Sequence, residues 1–318
     1  MSTHAAVVMV AVRGALQVIQ VPTIKPTADE VLVRVEWTAS TPLDLHQNDS
    51  GLMVKHPQVM GDGVAGTVVE LGPDVKKLKL GDKVFGFGWR EQKEKAHQEL
   101  ATMPEYLLGK IPANVTPQEA VTLPNNFVTV FHALTADLSL PLPWPRPSTA
   151  PEHADTPILI WGGASSVGQF ALQILRYYGY TSLLATASPK HHSFLKSLGA
   201  REVFDYREDD TPARILAAAG ENGIPFILDC IGSQHGSLLP LSKIAAAGSK
   251  LAVLLPVIVK DASEAEAPEY AMDVGASAPW ADGVDARGVQ THFYLDNELF
   301  KEKLQSEIMP TLLGEGFV

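Results

Sequence analysis

The period of the apolar positions changes along the chain and divides it in two. Residues 5–110 read as short strands with turns. Residues 5–12 are apolar and β-branched, 30–37 (EVLVRVEW) alternate, and 63–71 (GVAGTVVEL) form another run. This pattern predicts an antiparallel β-rich domain, with the alternating strand half-buried. Gly66, inside its run, predicts close approach of a neighbouring backbone. Gly81-Asp82-Lys83 marks a turn before residues 84–87. Residues 117–138 then take a helical period, with Thr116 as N-cap, Pro117 in the first turn and Glu119 after it.

The sharpest change of period lies at residues 156–178, TPILIWGGASSVGQFALQILRYY. Residues 158–161 are a continuous apolar run, as in a strand buried on both faces. Gly162 and Gly163 follow, and from Val167 the apolar residues recur at three and four, one face of a helix ending near Gly179. A helix opening out of a glycine turn presents free N–H groups and a partial positive charge, which favour a diphosphate. The spacing Gly163-x-x-x-x-Gly168 is not a full G-x-G-x-x-G, so its weight comes from the strand before and the helix after it.

Beyond this unit, strands at 181–187, 202–204, 226–230 and 250–255 alternate with helices at 191–198, 214–219 and 238–246. Alternation of this kind means a parallel sheet with right-handed crossovers. Residues 140–157 are proline-rich and predict an exposed, semi-extended insertion. Residues 261–285 are acidic and aperiodic, predicting a mobile loop. A last strand is expected at 288–294 and an amphipathic helix at 297–313, with Asn297 as a possible cap.

Composition narrows the class. The chain has 318 residues, 46% hydrophobic and 19% charged, enough for two cored domains. A net charge of −11 argues against non-specific binding to nucleic acid or anionic membranes. The single cysteine, Cys230, excludes an intrachain disulfide and a multi-cysteine zinc site, and fits a reducing, cytoplasmic setting. No apolar run reaches membrane-spanning length, and no signal peptide is recognisable. His46, His56, His97 and His132 are scattered without metal-ligand spacing, so no metal is expected.

The order of a β-rich domain and a doubly wound one comes with GGASSVG, then Ser188-Pro189-Lys190, then LGAREVFDYR at 198–207. It resembles the medium-chain dehydrogenase/reductase superfamily, in its zinc-independent quinone oxidoreductase-like branch. Within that branch the proline-rich insertion and the tail THFYLDNELFKEKLQSEIMP look like the fungal trans-acting enoyl reductases and toxin-cluster reductases. The resemblance implies an α/β fold: a GroES-like β-barrel over residues 1–125 and a Rossmann doubly wound parallel-sheet domain over 126–318, including the terminal helix. The family's C-terminal segment, which returns to the first domain, is expected to be missing. The zinc branch's catalytic cysteine and Gly-His-Glu are absent; Thr41-Pro42-Leu43-Asp44 and Gly61-Asp62-Gly63 stand nearest to them.

Candidate site residues follow from both sources. The glycine turn offers Gly163, Ser165, Ser166, Val167, Gly168 and Gln169 to a diphosphate. The second strand of the nucleotide domain ends without the acidic residue that would favour NAD. Ser188, Lys190 and the neighbouring His191 can instead meet a 2′-phosphate, with Tyr206 and Arg207 closing over the adenosine, so NADPH is expected. Solvated surface charge is the plainer reading of Lys190 and Arg207. The resemblance places Leu43, Asp44, Leu45 and His46, with Pro256 and Val257, against the nicotinamide. Asp44 fits a turn or N-cap role equally well. Val130, Phe131, Ala133 and Leu134, with Val289, Gln290, Thr291, His292 and Phe293, would line an apolar pocket for a conjugated carbonyl; core packing is the alternative for each singly. No acid or base stands out; Asp44, His46 and His132 are weak candidates.

The expected activity is NADPH-dependent transfer of a hydride to an α,β-unsaturated carbonyl, as in a trans-enoyl reductase. Reduction of a quinone is one alternative, and non-catalytic NADPH binding, of a different class, is another. The expected partners are a small enone or quinone and possibly a polyketide synthase. The chain is expected to be a monomer or homodimer, the latter through an uncovered edge at residues 288–294.

Overall fold

A computed structural model describes residues 2–317, which fold as two units: the chain through Val128 together with Leu295–Gly316, and Thr129–Tyr294 together with Phe317. The first unit opens with β1 (Thr3–Met9), β2 (Gln17–Pro22), β3 (Glu30–Ala39), α1 (Pro42–Ser50) and β4 (Gln58–Val59). It continues with β5 (Gly63–Leu71), β6 (Lys83–Phe87), β7 (Leu100–Pro104), β8 (Leu108–Lys110) and α2 (Pro117–Ala120). Two antiparallel sheets result, ordered β2-β1-β4 and β7-β3-β5-β6-β8. The first half of β3 is buried on both faces, and the alternation shows only from Arg34 onwards. Gly66 permits the tight β3–β5 pairing: a Cβ there would stand 2.1 Å from the Arg34 carbonyl oxygen.

The helix expected over 117–138 is three pieces: α2, then α3 (Pro124–His132), then a π-turn at Ala133–Asp137. Pro124 has no N–H to continue α2 and opens a new helix instead. The Thr116–Glu119 capping box forms as the sequence suggested.

The second unit contains β9 (Ile158–Trp161), α4 (Ser166–Tyr178), β10 (Leu183–Thr186), α5 (His192–Leu198), β11 (Glu202–Phe204) and α6 (Thr211–Ala219). Then come β12 (Phe226–Asp229), the short α7 (Leu239–Leu241), β13 (Lys250–Leu254), β14 (Val257–Lys260), β15 (Glu269–Ala271) and β16 (Asp285–Val289). Six strands form one parallel sheet, ordered β11-β10-β9-β12-β13-β16. This is the strand order of doubly wound dinucleotide folds, and the order reverses between β9 and β12, where such folds bind ligand.

Three expectations need correction here. The stretch 261–285 is not an unstructured loop: β15 pairs with β14, and Val274 is buried. The last strand lies earlier than expected, because its partner β13 stops at Leu254 opposite Val289; residues 291–296 form a 3₁₀ turn. The proline-rich insertion is anchored through the buried Leu140 and Leu142.

The terminal segment, α8 (Glu298–Lys303), a π-turn and α9 (Met309–Gly314), packs in the first unit and not the second. Leu304, Gln305, Ile308, Met309 and Leu312 are fully buried there. The Gln305 side chain accepts from the Phe87 N–H at 2.7 Å and donates to the Phe87 carbonyl at 3.2 Å, closing the end of β6 beyond its pairing with β8. The described terminal segment thus belongs with the first unit. Asn297 caps α8 by accepting from the Phe300 N–H.

Candidate dinucleotide site

The turn after β9 is built to leave donors open. Gly162 has φ +82° and donates to the Thr186 hydroxyl, while Gly163 donates to the Thr186 carbonyl, both at 2.9 Å. Ser165 caps α4 by accepting from the Gly168 N–H at 3.1 Å. Gly168 sits against the strand: a Cβ there would come within 2.6 Å of the Gly162 carbonyl oxygen. The N–H groups of Ala164 and Val167 have no hydrogen-bond partner among the described residues. Gln169 does not reach outwards; its amide donates to the Ala164 carbonyl and stiffens the turn. Ser166 is exposed at the helix start.

Beyond β10, Ser188 opens a 3₁₀ turn, accepting from the His191 N–H. Lys190 is exposed and makes no hydrogen bond or ion pair among the described residues. Arg207 differs: it forks onto Asp205 at 2.9 and 2.7 Å and lies 5.8 Å from the Tyr206 ring centroid. The Asp205 carboxylate, just after β11, is thus already paired. The turn and the open amides fit a dinucleotide diphosphate.

After β12, Asp229 is fully buried and accepts from the N–H groups of Ile231 and Gly232 and from the Ser237 hydroxyl. Burial pushes its carboxyl up to about 6, against the pull of these donors. It shapes the turn facing the glycine loop at the switch point. Burial also raises the Cys230 thiol well above its ordinary range, which disfavours the thiolate. Pro256 and Val257 are both buried, Val257 in the apolar core beside Trp161, so only their backbone is available to a ligand.

Val130, Phe131, Ala133 and Leu134 are likewise fully buried and serve as core. Val289 is buried, whereas Phe293 is exposed. The two stretches meet through the Thr129 and Thr291 hydroxyls, 2.9 Å apart. His132 is buried on α3.

In the first unit, Asp44 caps α1, accepting from Thr41 N–H at 2.7 Å and also from Gly61 N–H at 3.2 Å. Burial raises its carboxyl, and the charge of Asp62 adds to the rise. His46 is lowered by burial, while Leu45 is largely exposed. Around Asp44 the fold gathers groups the sequence did not single out together. Lys95 donates to Asp62 at 2.5 Å, and the His97 ring lies over Gly61, where a Cβ would come within 2.2 Å of Cδ2. Burial lowers His97, partly opposed by Asp44 and Asp62. These residues sit on three separate stretches, and no spacing rule would have joined them. Among the described residues, no group of three or more His, Cys, Asp or Glu side chains could hold a metal ion, and no helix is long and apolar enough to cross a membrane.

Residues 27–132 match the family described as Alcohol dehydrogenase GroES-like domain, and residues 166–254 match Zinc-binding dehydrogenase. Trans-enoyl reductase tazE of Aspergillus terreus is 33% identical over 232 residues, 70% of this chain and 74% of the relative. The chain belongs to the medium-chain dehydrogenase/reductase family. Within this family, the enoyl reductase component lovC of the lovastatin nonaketide synthase of Aspergillus terreus is 32% identical over 72% of this chain and 63% of its own length. The chain spans about three fifths of the length of several such relatives. The quinone oxidoreductase from Coxiella burnetii shares the fold, with a TM-score of 0.73 at 21% identity, covering 99% of this chain and 89% of that one.

Proposed function

We propose that this family member is a metal-independent, NADPH-dependent reductase of an α,β-unsaturated carbonyl. The observation that carries the reading is the open turn at 162–168, with an unpaired Lys190 and with Asp205 held by Arg207. When bound, the reduced nicotinamide supplies the hydride. Ala164 and Val167 N–H groups would hold the diphosphate, aided by the positive end of α4. Lys190 and Ser188 would hold the 2′-phosphate. The protein's remaining task is to fix the acceptor's β-carbon in contact distance and to stabilise the developing enolate oxygen through backbone or hydroxyl donors. Protonation of the α-carbon completes the reduction.

The names of the tazE and lovC relatives support an enoyl acceptor, and the second supports a synthase-borne chain as the physiological substrate. The test is turnover of an enone thioester against a simple quinone, with NADPH and with NADH. Enone reduction with NADPH is expected. Turnover of the quinone alone would move the assignment to a quinone reductase. Tight NADPH binding without oxidation of any acceptor would make the chain a binding protein.

A further inference from the structure

We infer that a concavity on the first unit, beside His97, is a binding site for a small organic cation: an amine carrying an aromatic or aliphatic body. Its volume is about 510 Å³, within the range that small ligands occupy. Val18, Val35 and the half-exposed Trp37 supply apolar wall, and Glu36, Glu99 and His97 supply the titratable groups. No lysine or arginine lines it.

The charges decide the ligand class. Glu36 is satisfied elsewhere, by the Lys83 ammonium at 2.8 Å and the Thr67 hydroxyl at 2.6 Å. Glu99 uses one carboxylate oxygen to accept from the Ala5 N–H at 3.0 Å and has no ion pair among the described residues. Its backbone is fixed on both sides, donating to the Ala5 carbonyl and accepting from the Val35 N–H, each at 3.0 Å. The carboxylate is therefore preformed at the rim and lacks a counter-ion. Burial of the His97 imidazole keeps it uncharged at neutral pH, so it does not repel a cation. An ammonium between the Trp37 indole and Glu99 gains from both the ring face and the carboxylate. A phosphate or carboxylate would meet the unpaired Glu99, while the neighbouring Lys83 and Arg34 are already engaged by Glu36. The inference does not rest on the proposed reaction.

The experiment uses three ligands of one shape and different charge on the whole chain: 2-phenylethylamine, 2-phenylethanol and phenylacetate, followed by calorimetry and by saturation-transfer NMR. The amine is expected to bind at least about tenfold more tightly than the alcohol, with phenylacetate weakest. Glu99→Gln keeps the acceptor for Ala5 and should reduce the amine to the affinity of the alcohol, with an unchanged melting temperature. Trp37→Ala should weaken the amine several-fold. No saturable binding of the amine, equal affinity for the alcohol, or an unchanged amine affinity in Glu99→Gln would each overturn the inference.

Discussion

Lys95 donates to Asp62 at 2.5 Å, and both side chains are only 6% exposed. An ion pair this buried is tolerated as a pair and costly as a remnant. Asp62→Leu or Lys95→Met alone should destabilise the first unit by about 3 kcal/mol. The double variant Asp62→Leu/Lys95→Met should recover most of that loss. Chemical denaturation of the three variants measures the coupling, and additive losses would refute it.

Lys190→Ala should weaken NADPH about tenfold and leave NADH nearly unchanged, because only the former carries the phosphate. Fluorescence titration of both cofactors checks this. Equal losses would remove the 2′-phosphate assignment.

Gly168→Ala drives a methyl to within 2.6 Å of the Gly162 carbonyl oxygen and 2.7 Å of the Gly163 Cα. Neither is a flexible side-chain end, so the turn must open. We expect a loss of about 2–3 kcal/mol in stability, together with loss of dinucleotide binding. Calorimetry with and without NADPH reads both effects.

Asp137 lies in the π-turn after α3 with a buried Oδ2 that has no hydrogen-bond partner. Burial raises its carboxyl from 3.8 to about 6, Arg287 opposing and Asp285 adding to the rise. The folded chain thus keeps a proton that the unfolded chain releases above pH 3.8. Stability from this group is full below that pH and is lost as pH rises through about 6. Asp137→Asn should therefore be more stable than the parent at pH 7, by about 1 kcal/mol after allowing for partial solvent screening. The advantage should vanish near pH 4, which melting temperatures at the two pH values will show.

The nucleotide-binding half was the more legible part of the fold because its signals are local. The apolar run of β9, the glycines and the α4 stripe are contiguous, and their meaning survives without knowledge of the rest. The same locality let Thr116 and Asn297 be read as caps. Gly66 was readable because a glycine inside a strand has few explanations. What escaped was long-range. Asp44, Asp62, Lys95 and His97 meet only because β4, β5 and the approach to β7 cross near α1. The side-chain roles of Phe131 and Val257 were ambiguous for the opposite reason: an apolar residue lines a pocket or a core with the same letter, and the fold put both in the core. The amphipathic pattern at 297–313 announced a helix but not which surface it covers.

Gln305 clasps Phe87 across 218 positions of sequence. During translation the strands of the first unit emerge early, and their closing segment emerges only after the whole parallel-sheet unit has been made. At about 5–20 residues per second, the Phe87 end of β6 waits on the order of ten seconds or more for Gln305. Over that interval the first unit is the vulnerable species, its Phe87 backbone unpaired on that side and the apolar surface later covered by Leu304, Ile308 and Met309 open to a chaperone or a neighbouring nascent chain.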